Sequence, residues 1–337
     1  MGGCRAGDNE LNAREGARIR VTVSGRRSSF ILHPSAFILS LVLLLLPAFG
    51  GSAIAQSVQG RREVQAARSH ETSRPIEPEM IERAIGAVCE EREADPLGSV
   101  PIDEMQARPS LPLAHPDTIA GTRRAERLLP VARELAIAAL RQLADEYGLT
   151  PVRFRDAVAR IKAVKNIEPD MELRDNAAVV LSDPHTISFG TIFLASLRSD
   201  EGMVSVLSHE LIHIADGKTD TLRPLFRVIG RRAASLTALS IYGHRPEELT
   251  CDLVGAMAAS ALVARTPGTE SLARRLARSV EHNCVEEDDT DEDHLSPRNT
   301  MRAVFALNPA LARDIMDREG FYLPLEKSVP EKLTPQP

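Results

Sequence analysis

The chain has no tryptophan, three tyrosines and only 4% aromatic residues in 337. A stacking platform for single-stranded nucleic acid is therefore excluded. It also lacks a basic excess. Lysine and arginine total 41 against 47 acidic residues, a net charge of −6, so no nucleic acid partner is expected. Glycine and proline are too few for a collagen-like chain, and 43% hydrophobic content is too high for a disordered one. Long apolar runs are missing except near the N-terminus, which excludes a multi-span membrane protein. What remains is a globular chain long enough for one large domain or two small ones.

The one apolar run extends from Ala36 to Phe49, interrupted only by Ser40 and Pro47. Arg26 and Arg27 precede it, and Ala53-Ile54-Ala55 follows as a small-residue cleavage site. This order of charge, apolar stretch and small exit reads as a secretory signal peptide over residues 1–55. The run falls short of the roughly 20 apolar residues of a membrane span. A retained anchor is the alternative, and it would give membrane association through the N-terminal segment. Export predicts a periplasmic or secreted protein. Without residues 1–55, the remaining chain carries 35 basic and 44 acidic residues. Of the cysteines left, Cys89, Cys251 and Cys284, three single bridges are combinatorially possible: Cys89 and Cys284 could pair in an oxidising compartment with Cys251 free, and the alternative is three reduced thiols.

Residues 56–120 read as a flexible leader with one helix over Pro78–Glu93 and a Pro-rich segment that could cover a cleft. The main domain is expected over 121–320, with a tail over 321–337. A helix is expected from Leu128 to Tyr147, stopped by Gly148, and Thr150-Pro151 opens another. Ile161–Val164, Ala178–Leu181 and Thr186–Phe189 read as short strands. Beyond Gly190 helices are expected at 191–198, 201–216, 222–240, 246–264, 268–282 and 297–306. The fold class is α+β, mostly helical, with a small sheet just before the central helix.

That central helix carries Ser208-His209-Glu210-Leu211-Ile212-His213, an H-E-x-x-H motif. Positions i and i+4 share a helix face, so His209 and His213 can offer two imidazoles to one metal ion. Glu210 stays close enough to take a proton from water at the ion's open position. Zinc suits this donor set, one ion per chain. Val204, Val206, Leu207, Leu211, Ile212 and Ile214 make the helix a buried one, where two histidines and a glutamate are costly unless satisfied. A pair of hydrogen-bonded core histidines is the bland alternative.

A catalytic zinc needs a third protein ligand, and Glu248 is the best candidate. Glu248 and Asp252 are four apart on a helix that Pro246 opens, so they share a face. Asp252 would then accept a hydrogen bond from the distal ring nitrogen of a ligating histidine. Glu248 could instead be a first-turn carboxylate favoured by the helix dipole, a role that Glu247 fits better. Cys251 is a possible ligand, but it would leave the Glu248–Asp252 spacing unexplained. Gly255, Ala256, Ala258 and Ala259 would let the two helices pack closely.

His209-Glu210-x-x-His213 with Glu248-x-x-x-Asp252 resembles the peptidase family of the heat-shock protease HtpX and the type I CAAX prenyl protease. The resemblance covers roughly Asn176 to Leu307. It implies a zincin-like metallopeptidase domain. Zinc would be held by His209, His213 and Glu248, Glu210 would be the general base, and the substrates would be polypeptides. Asn176-Ala177 resembles the family's Asn-Ala before its edge strand, which would set Thr186–Phe189 beside the cleft to pair with extended substrate. The family often has a His-Pro pair followed by Arg five residues past the Pro. Pro297 and Arg302 keep that spacing here, but Ser296 precedes the Pro. His294, two residues earlier, could supply the imidazole that steadies the oxyanion. Otherwise Ser296 is simply an N-cap and His294 a surface loop residue. The resemblance implies an exported metalloendopeptidase in envelope protein quality control. The alternative is a non-catalytic zinc protein or a chaperone-like adaptor.

Overall fold

A computed structural model describes residues 77–93, 107–266, 274–275 and 292–318, apart from Leu181 and Arg198. All of them belong to the compact unit Gln56–Pro337. The expected signal segment, the expected helix at 268–282 apart from residues 274–275, and the tail lie outside the described residues.

The described chain is mostly helical with one three-stranded sheet. Its helices are α1 (Pro78–Glu93), α2 (Pro116–Tyr147), α3 (Pro151–Ala163), α4 (Thr191–Ser196), α5 (Asp200–Asp216), α6 (Arg223–Thr237), α7 (Arg245–Arg265), α8 (Pro297–Leu307) and α9 (Pro309–Arg318). The strands are β1 (Asn166–Asp170), β2 (Ala177–Val180) and β3 (Asp183–Gly190). No described helix is long and apolar enough to cross a membrane.

Local chemistry sets most boundaries. Gly148 closes α2 in the left-handed conformation at φ 77°, its N–H donating to Ala144 O. The Thr150 side chain then accepts from Arg153 N, with Pro151 opening α3. α2 starts twelve residues before the expected Leu128 because Pro116 opens it early and the Nδ1 of His115 caps Asp117 N. The described part of the Pro-rich stretch is tied down. Ser110 Oγ donates to Met171 O, and Leu111 N donates to the Thr191 hydroxyl.

Two strand expectations need correction. Ile161–Ala163 belongs to the end of α3, where Ile161 buries on the helix's apolar side. The strand here is instead β1, with the polar sequence Asn-Ile-Glu-Pro-Asp. β1 pairs in parallel with β3, Ile167 facing Ile187, so tertiary pairing rather than propensity makes it a strand. The sheet order is β1-β3-β2, with β2 antiparallel to β3. Thr186–Phe189 therefore lies on the central strand, its backbone committed on both sides. It cannot pair with substrate, as the resemblance implied it would. The outer strands are β1 and β2.

α5 is the most buried helix, packed on α7, α2 and α3. At its start the Ser199 hydroxyl accepts from Gly202 N, while Asp200 and Glu201 complement the helix dipole. At its end Arg160 of α3 donates to Ala215 O and Asp216 O, taking two carbonyls that the helix leaves unpaired. α7 can approach because Gly255 faces Ser205. A Cβ at Gly255 would lie 2.8 Å from Ser205 O and 2.9 Å from its Oγ. Gly255→Val should therefore push the helices apart and cost about 1–3 kcal/mol by overpacking, read as a lower urea midpoint at unchanged slope.

Candidate metal centre

α5 and α7 meet along the face that carries His209, His213, Glu248 and Asp252. The Nε2 atoms of His209 and His213 are 3.1 Å apart. Glu248 Oε2 stands 3.3 Å from His209 Nε2 and 3.4 Å from His213 Nε2. The distal nitrogens are held from behind. His209 Nδ1 is 2.9 Å from Asp252 Oδ1, and His213 Nδ1 is 2.9 Å from Glu247 Oε1.

These contacts define tautomers. A carboxylate only accepts, so each Nδ1 carries the proton and donates it. Each Nε2 then turns a lone pair toward the other and toward a carboxylate oxygen. Three electron-rich atoms converging at 3.1–3.4 Å repel unless a cation lies among them. For a tetrahedral zinc with nitrogen and oxygen ligands at 2.0–2.2 Å, neighbouring donors stand about 3.3–3.5 Å apart. The triangle fits that spacing.

The electrostatics of these side chains follow from their contacts. Burial works against a charged His209, yet the Asp252 and Glu248 carboxylates hold its pKa well above the usual value. Burial likewise opposes a charged His213, and Cys251, Glu247 and Glu248 raise it. Burial works against the charged carboxylate of Glu248, but His209, His213 and His294 hold its pKa far below the ordinary carboxylate range.

Cys251 also reaches the centre. His209, His213 and Cys251 form a group that could hold a metal ion, their donor atoms all within 4.8 Å of one another. The Cys251 thiol is free and buried, and burial raises its pKa.

The remaining expected residues divide. Glu210 is 6% exposed on α5, beside His209. His294 lies in an exposed loop segment, and its Nε2 stands 3.4 Å from Glu248 Oε2. Ser296 is an N-cap, its hydroxyl accepting from Asn299 N. Arg302 turns to α1, where its Nε donates to Glu82 at 2.7 Å. Sequence reasoning assigned Glu247 to the helix dipole and missed its bond to His213. A signal was available: two ligating imidazoles need two partners, and Asp252 could serve only one.

Glu247→Gln and Asp252→Asn should each weaken zinc binding roughly 10- to 100-fold, read by competition with a chromophoric chelator. Cys251→Ser should leave it unchanged. Because imidazoles must shed protons to ligate, apparent affinity should strengthen as pH rises; calorimetry in buffers of different ionisation enthalpy counts the protons released. A scan against protein-family models finds no match, and searches of curated proteins and of solved structures return no similar chain.

Proposed function

We propose that the chain is an exported zinc metalloendopeptidase with a zincin-like domain. The observation that carries this reading is the convergence of His209 Nε2, His213 Nε2 and Glu248 Oε2 at 3.1–3.4 Å, with Glu210 on the next position of the same helix. A zinc ion held by these three residues would polarise the scissile carbonyl and lower the pKa of attacking water to about 7. Glu210 would take a proton from the attacking water and pass it to the leaving amine. Asp252 and Glu247 keep the imidazoles in the ligating tautomer. His294 donates a hydrogen bond to the oxygen that gains charge.

Substrate backbone pairs with the outer edge of β2. Among the described residues the sheet ends there, and β2 packs on α5. The disulfide at Cys89, whose partner lies outside the described residues, favours an oxidising compartment, periplasmic or extracellular. Cleavage of unfolded polypeptide in envelope quality control rests on the family resemblance alone.

One observation favours a second reading. His294 Nε2 meets Glu248 Oε2 at 3.4 Å, the spacing of the other two imidazoles. As a fourth donor His294 would close the site, giving a non-catalytic zinc protein or adaptor. Glu210→Gln should keep one zinc per chain and lose roughly 10²- to 10⁴-fold in casein hydrolysis. A zinc-loaded wild type without hydrolysis, together with weakened zinc binding in His294→Ala, would select the second reading.

A further inference from the structure

His294 is held between two anchors. On its C-terminal side Leu295 and Ser296 are buried at the start of α8. On its N-terminal side the chain is gripped by Arg245, the first residue of α7. Arg245 is 6% exposed. Its Nε donates to Glu292 O at 3.0 Å, and its Nη1 donates to Ser240 O at 3.0 Å. Its guanidinium lies 5.1 Å from the centre of the Tyr242 ring. One buried cation thus joins the loop before α7 to the segment that carries His294.

We propose that Arg245 is a positioning residue that holds His294 against Glu248. Glu292, whose carbonyl it grips, is two residues from His294. Glu248 is three residues along α7 from Arg245, less than one turn. The guanidinium therefore fixes the distance between the segment and the helix start that bears Glu248. Burying an arginine is costly, and the cost is met only where fixed acceptors face its planar fork. Both carbonyls do so. Lysine has one point of charge and cannot span them with the same geometry. The proposal deepens the reading of His294 as a site residue and depends on it only for the chemical consequence.

The test is carbethoxylation of the full chain by diethyl pyrocarbonate, read residue by residue by mass spectrometry. His115 and His185 serve as internal references. In Arg245→Met the modification rate of His294 should rise several-fold against both references. In Arg245→Lys it should rise less, because one of the two carbonyls keeps a donor. An unchanged His294 rate in the folded variants overturns the proposal. So does an equal rise at all three histidines, which would mean general loosening. If Arg245→Met does not fold, Arg245→Lys decides alone: a His294-specific rise supports the proposal, and an unchanged rate overturns it. The labelling requires no hydrolysis, so a failure of the peptidase reading would show separately as an inactive, normally labelled wild type.

Discussion

Two imidazole nitrogens 3.1 Å apart, each with its lone pair turned inward by a carboxylate behind it, form an arrangement that only a positive charge can hold together. Nearly everything else around the centre serves this constraint. Glu248 adds a third electron-rich atom, and its anionic form is stabilised by the histidines it meets. One divalent ion placed among them would satisfy all three donors at once.

Holding that geometry requires two helices in close and exact register. α5 is capped at one end by Ser199 and at the other by Arg160, which reaches across from α3. α7 comes near enough because Gly255 presents no side chain to Ser205. Arg245 then extends the same ordering to a third segment, the one bearing His294. The centre is thus built from rigid helical parts, with the one irregular contributor tied by a buried cation. Such support is what keeps catalytic or ligating groups within the narrow tolerance their chemistry requires.

Much of this was legible beforehand. The i, i+4 spacing of His209 and His213 and of Glu248 and Asp252 follows from helix periodicity, and the surrounding apolar residues marked α5 as buried. The errors have physical causes. Ile161 to Val164 is apolar enough to suit either a helix end or a strand, and periodicity does not separate the two over so short a run. β1 has almost no strand propensity of its own and exists because β3 pairs with it. Glu247 appeared to be a helix-dipole residue because its neighbour Glu248 already met the need for a ligand.

The sequence by itself determined most of the helices, the Thr150 and Ser296 caps and the i, i+4 pairs His209–His213 and Glu248–Asp252, since each depends on residues within a turn or two of one another. Only the tertiary structure decided that β3 is central, that Glu247 backs His213, and that Arg245 grips Glu292. Those are contacts between residues far apart along the chain. Local periodicity carries no information about them, because they arise from how separately formed elements pack.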